Sequence, residues 1–153
     1  MTDFVARDPD YQARVRDSFA RQGFMHAIGA EIVALAPGRC DIRLAFKPEV
    51  SQQHHYFHGG IIATLADNAA GYSSYTLMSA TDTVLTVEFK LNILAPGDGD
   101  TLIARGHVLK SGRTLTVSRT DVFAVKNGRE TLCATLLGTF MRLADMSDRP
   151  KAA

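Results

Sequence analysis

The stretch His58-Gly59-Gly60-Ile61-Ile62-Ala63-Thr64-Leu65-Ala66-Asp67-Asn68-Ala69-Ala70 decides how this chain is read. With histidine counted as neutral, Asp67 is the only formal charge between Glu49 and Asp82. Apolar residues surround it, and the pattern predicts a helix from about residue 59 to 78 that opens on a pair of glycines. A helix apolar nearly all round is buried on more than one side. An ionised carboxylate in such a helix lowers stability unless something compensates it. The exposed amides of a glycine-started helix form an anion site. A lone acid and an anion hole on one helix are the two halves of a hydrolytic site.

Those halves do not meet within one chain. Asp67 lies eight residues beyond Gly59, which is roughly 12 Å along a helix axis. Attacking group and oxyanion donor must both approach one carbonyl to about 3 Å. A two-fold axis that lays two copies of the helix antiparallel sets Gly59 of one subunit against Asp67 of the other. A catalytic helix of this kind therefore implies a homodimer with two shared sites.

Working outward, residues 9–22 read as a short amphipathic helix with Tyr11, Val15, Ser18 and Phe19 on one face, stopped by Gly23. Alternation at Ile28, Ala30, Ile32 and Ala34 predicts a strand over 27–36. Pro37-Gly38 turns it into a second strand through Cys40, Ile42, Leu44 and Phe46. Beyond the loop at 48–57 and the long helix, residues 83–93 give the clearest strand. There Leu85, Val87, Phe89, Leu91 and Ile93 point one way, and Thr86, Glu88, Lys90 and Asn92 the other. Turns at Pro96-Gly97-Asp98-Gly99, Ser111-Gly112 and Asn127-Gly128 separate strands at 101–110, 114–126 and about 130–143. Alternation fades near Ser118-Arg119-Thr120, which predicts a bulge or a change of packing environment there. The tail after Asp145 is polar and expected to fray. Two helices and six strands with hairpin-short links amount to an α+β fold, a mostly antiparallel sheet around one long central helix.

The length of 153 residues suits a single domain over 1–153, with its core at about 25–143. A net charge of +1 and the lack of a basic, aromatic-studded stripe exclude a nucleic-acid footprint. No apolar stretch is long enough to span a bilayer, and Met1–Asp8 carries no signal-like apolar core. Cys40 and Cys133 share no metal or redox spacing and read as buried small hydrophobes. A cytoplasmic, disulfide-free protein is expected.

These residues resemble the hotdog-fold acyl-CoA thioesterases of the PaaI-like branch. The family motif of a histidine and two glycines at the helix start, then leucine-x-aspartate, is matched by His58-Gly59-Gly60 and Leu65-Ala66-Asp67. Further blocks run from Val84 through Phe89 to Pro96-Gly97, and from Val108 through Gly112 to Leu115. The resemblance covers about residues 25–143. It implies a hotdog fold, an acyl-CoA substrate and a homodimer, with a homotetramer expected.

By resemblance Asp67 is the general base or nucleophile, and the Gly59 amide polarises the thioester carbonyl. Gln52, fifteen residues before the acid, assists the carbonyl or the water. Thr86 takes the place of the hydroxyl that orients the water, although strand alternation sets it opposite the apolar face. His58 is expected to cap or brace the loop with its side chain near the carbonyl site, and Gly60 completes the glycine pair beside the substrate. Tyr56 and Phe57, with Tyr72, Tyr75 and Met78, are candidates to line an acyl pocket, while Lys90, Lys110 and Arg113 are candidates to meet the coenzyme A phosphates. No cofactor is expected, and no metal, since His54, His55 and His58 all precede the helix that would hold them in register. Two alternatives stand beside hydrolysis: a hotdog dehydratase or hydratase of acyl thioesters, and a non-catalytic acyl-CoA-binding module.

Overall fold

The computed structural model describes residues 4–146, 148 and 149. Its elements are α1 (Tyr11–Ala20), α2 (Gly23–Ile28), β1 (Glu31–Ala36), β2 (Arg39–Ala45), α3 (Gly59–Tyr75), β3 (Thr83–Ile93), β4 (Thr101–Ser111), β5 (Leu115–Lys126) and β6 (Arg129–Leu143). All strand pairs are antiparallel, in the order β1-β2-β4-β5-β6-β3. The sheet wraps α3, so the hotdog fold expected from sequence is the fold observed. No helix among the described residues is long and apolar enough to cross a membrane.

The core lies between α3 and the inner sheet face. Ile42, Leu44, Leu102, Ala104, Val122, Leu136 and Phe140 meet Ile62, Leu65, Ala66, Ala69 and Ala70 there, all buried. The approach is closest at Gly106 in β4, where a Cβ would stand 2.3 Å from the Ala69 carbonyl oxygen. Only glycine permits that contact. Its partner Thr120 in β5 donates to the Ala66 carbonyl at 2.9 Å. Ser118 and Ser74 share a hydrogen bond of 2.8 Å. Cys40 and Cys133 are free and buried.

Several sequence expectations need correction. The strand expected over 27–36 begins only at Glu31, because Met25 and Ile28 bury one face of the short helix α2. Gly23 starts that helix instead of ending a segment, and the stop is Gly29 at φ 79°, whose amide returns to Met25 and His26 carbonyls. The long helix closes at Tyr75, and i→i+3 bonds from Leu77 and Met78 tighten the exit. No bulge occurs at residues 118–120. Strand β5 alternates without a break, and its inner positions Thr116, Ser118 and Thr120 are simply polar.

The irregularities sit elsewhere, and the one in β3 bears on the site. Thr86 pairs with Phe140 and Glu88 with Thr139, so Val87 is an extra residue. Before the bulge Val84 and Thr86 take the inner face; after it Phe89 does, packing over Gly138. The single-faced apolar stripe expected of β3 is therefore split. As for the frayed tail, Asp148 returns to bond Arg21 at 2.6 Å and Thr83 at 3.0 Å. Residues 147 and 150–153 lie outside the described residues.

Candidate active site

Because Val87 bulges, Thr86 faces α3, and its Oγ1 donates to Asp67 Oδ1 at 3.0 Å. The expectation that Thr86 would point away from the apolar face is overturned, since a single inserted residue reverses the alternation. Burial pushes the Asp67 carboxyl above the ordinary carboxylate value, and the hydrogen bond from Thr86 offsets only part of that. Asp67 opens on a cavity of about 330 Å³ between α3, β3 and the α1–α2 junction.

Eight residues back, the helix start is built by the preceding loop. His58 is extended at φ −62° and ψ 138°, and its Nδ1 accepts the Gly60 amide at 2.9 Å. The amides of Ile61 and Ile62 are taken by the His58 carbonyl. That leaves the Gly59 N–H without an acceptor among the described residues. A bond of 2.9 Å from the His58 amide to Val50, and one of 3.0 Å from the Phe57 amide to Gly97, hold this turn in place. A second cavity, of about 430 Å³, opens at Gly59 and includes Gln52, Tyr56, Ile93 and Pro96.

Sequence-predicted residues thus gather in two places. Thr86 joins Asp67, while Gln52, Tyr56 and Phe57 join Gly59, Gly60 and His58. One chain does not bring the two groups together. His58 acts as the helix cap. Gln52 accepts a hydrogen bond from the His54 amide, and Phe57 stacks edge-on against Phe46 with ring centroids 5.2 Å apart. Tyr75 and Met78 are core residues, and the Arg14 guanidinium lies 4.2 Å over the Tyr75 ring. Lys90, Lys110 and Arg113 are exposed and border neither cavity.

Sequence reading missed Ser18, Arg21 and Gln22, which wall the Asp67 cavity. Only Ser18 lies on α1; Arg21 and Gln22 form its junction with α2, so no helical spacing could have singled them out. Among the described residues, no group of three His, Cys, Asp or Glu converges as a metal site would require.

The sequence description of the thioesterase superfamily matches residues 54–131, just over half the chain, spanning the Gly59 turn, α3 and β3 to β5. The chain belongs to that family. This thioesterase superposes on a thioesterase family protein from Silicibacter pomeroyi with a TM-score of 0.86 and 43% identity, covering 88% of this chain and 98% of that one. The Escherichia coli PaaI protein of the phenylacetic acid degradation operon shares the fold, with a TM-score of 0.78, 20% identity and coverage of 90% and 96%. The 1,4-dihydroxy-2-naphthoyl-CoA hydrolase of Listeria monocytogenes is 28% identical over 109 residues, 71% of this chain and 85% of its own length. By family the protein is a thioester hydrolase on a hotdog fold.

Proposed function

We propose that this thioesterase hydrolyses a small aryl or medium-chain acyl-CoA in a site shared by two subunits. The observation that carries this reading is the separation of Asp67–Thr86 from the free Gly59 amide into two cavities of one chain. Strand β3 supplies the means of joining them. Among the described residues it pairs with β6 alone, and Leu85, Val87 and Ile93 on it are more than half exposed. Along β3, Thr86 touches Asp67, and Ile93 lies beside Gly59, where a Cβ would stand 3.3 Å from its Cδ1. A two-fold axis near Phe89 and Lys90 that pairs β3 with its copy carries Ile93 and Gly59 of one subunit toward Thr86 and Asp67 of the other. Exposed Leu115 and Leu137 on the outer sheet face offer a surface for pairing dimers into a tetramer.

In that site Asp67 removes a proton from water as the water oxygen bonds to the thioester carbon, or the carboxylate attacks directly. Charge developing on the carbonyl oxygen goes to the Gly59 N–H at the positive end of α3. Collapse breaks the carbon–sulfur bond, and the coenzyme A thiolate leaves and takes up a proton; on the direct route water then hydrolyses the Asp67 acyl anhydride and restores the carboxylate. Thr86 fixes the carboxylate, and Gln52 stands beside the carbonyl end. The substrate class draws support from the Listeria relative, named for hydrolysis of an aryl-CoA. The hydratase reading gains none, since His58 spends its Nδ1 on the Gly60 amide.

The test mixes two inactive parents, Asp67→Asn and Gly59→Pro, and measures thiol release from acyl-CoA. Proline fits position 59, because His58 already has the extended backbone required before proline and position 59 begins the helix. It deletes the amide that the oxyanion needs. One site of each heterodimer receives both intact halves, so about half of the wild-type rate per dimer is expected. Verified heterodimers with no activity would sink the crossed site.

A further inference from the structure

Beyond β6 the chain comes back across the Asp67 cavity, and one carboxylate there joins two of its walls. Thr83 Oγ1 donates to Asp148 Oδ1 at 3.0 Å, and Arg21 Nη2 donates to Asp148 Oδ2 at 2.6 Å. Arg21 belongs to the α1–α2 junction, and Thr83 is the first residue of β3. Thr83 precedes Thr86, the partner of Asp67, by three residues, roughly 10 Å of strand. The bridge therefore stands at the end of the cavity remote from Asp67. Arg21 and Asp148 also border a neighbouring cavity of about 650 Å³, whose other walls include Arg14, Tyr75 and Asp82. Their ion pair is the partition between the two spaces.

Two ion pairs fasten this part of the chain, and they differ in permanence. Asp82 accepts Arg142 Nε at 2.6 Å and the Asp145 amide at 3.4 Å, and its side chain is 1% exposed. Asp145, at φ 52°, then turns the chain out of the strand. Arg21 and Asp148 are 32% and 27% exposed. A pair that open to solvent is weak, and salt weakens it further. Asp17 also bonds to Arg21, so the guanidinium keeps a partner when Asp148 leaves. The Asp148 bridge can thus let go while the Asp82 pin holds.

We propose that Asp148 is a releasable clasp, which when closed draws the α1–α2 junction against β3 and when open joins the Asp67 cavity to its neighbour. The clasp stands on these contacts, and its consequence for catalysis rests on the acyl-CoA thioesterase reading. A closed cavity keeps water from Asp67, and burial is what raises its carboxyl. The other ionisable groups lining the cavity are Arg21 from the junction, Tyr72 from α3 and Asp148 itself; the lining residues of β3 and β6 carry none. Asp148 is a positioning residue in this account and touches no reacting atom.

Amide hydrogen exchange reads the clasp without a substrate, in about 0.05 and 0.5 M potassium chloride. Wild-type amides of the α1–α2 junction are expected to exchange at least about fivefold faster in the higher salt. In Asp148→Ala and Thr83→Val they are fast at both concentrations, and the double variant is no faster than either. The pH profile of kcat/KM reads the consequence. Its acid limb, where Asp67 must be ionised, moves down by at least about 0.5 pH unit in both variants. Thr83→Val keeps the Asp148 charge, so a shift there reports water and not the loss of a nearby carboxylate. Thermal melts confirm each fold, and either variant alone serves if the other is lost. Exchange that ignores salt in the wild type, or wild-type exchange in a folded variant, overturns the clasp. An unmoved acid limb overturns its hold on Asp67 and leaves the thioesterase reading intact. Absence of turnover with any acyl-CoA removes that reading, while the exchange result still decides the clasp.

Discussion

Strands β5 and β3 both pair with β6, yet they are completed by different means. Along β5 every inner position is buried, and the hydroxyls of Ser118 and Thr120 bond to α3. Along β3 the apolar side chains of Leu85, Val87, Phe89 and Ile93 stand exposed, and no strand covers the outer edge among the described residues. Read for hydrophobicity alone, β3 is the stronger core strand and β5 the weaker. The difference teaches that apolar content marks a surface to be covered without saying by which molecule. In β5 the chain covers itself; in β3 the cover we propose is a second copy.

The comparison can be broken at several points. The largest effect is expected at the acid that β3 positions. Asp67→Asn should lower kcat by about 10²–10⁴-fold, the usual contribution of a placed base, and more if the carboxylate is the nucleophile. An unchanged kcat in a folded variant would remove Asp67 from the reaction. Next is the self-covered side. Gly106→Ala forces a Cβ to 2.3 Å from the Ala69 carbonyl and should cost about 3 kcal/mol in denaturant unfolding.

On the open side, Val87→Lys puts a cation on the edge proposed to pair with its copy. Dimer dissociation measured by sedimentation should strengthen at least tenfold while the monomer fold survives. A dimer of wild-type strength would move the interface away from β3. A smaller loss, about 1 kcal/mol, is expected when Thr120→Val removes the hydroxyl bonded to Ala66.

The last prediction is a modest gain. Burial holds the Asp67 pKa above its unfolded value, so the folded state favours the proton. The stability tied to that proton is full below the ordinary carboxylate value and is lost as pH rises through the higher folded value. At neutral pH the wild type therefore carries a penalty that Asp67→Asn lacks. Its Tm should exceed the wild type by about 2–4 °C, as for a gain near 1 kcal/mol, and the gap should close in acid. Parallel melting curves at all pH values would show that Asp67 is not strained by its burial.

Much of this was legible in the sequence because it rests on local pattern. The glycine-started helix with one acid, the four Gly-containing turns and the strand count needed only periodicity and turn chemistry. What escaped depends on register and long-range packing. One extra residue at Val87 reverses the facing of Thr86, and no composition signal marks a bulge in so apolar a run. Gly23 reads as a stop, yet the bend falls one residue earlier, at the extended Gln22. Ser18, Arg21 and Gln22 become site residues only because α1 folds back on α3 some fifty residues away.

Helix α3 runs without interruption from Gly59 to Tyr75. In the crossed dimer we propose, that rod belongs to two workshops at once, lending its first amide to one and its carboxylate to the other. A slide of the rod along its axis misaligns the oxyanion donor of one site and the base of its twin in the same stroke. The two sites are then yoked like the pans of a balance, and neither can be retuned by a helix substitution without the other feeling it. Diversification of such an enzyme is left to parts that each serve a single pocket, and the α1–α2 junction is one of them.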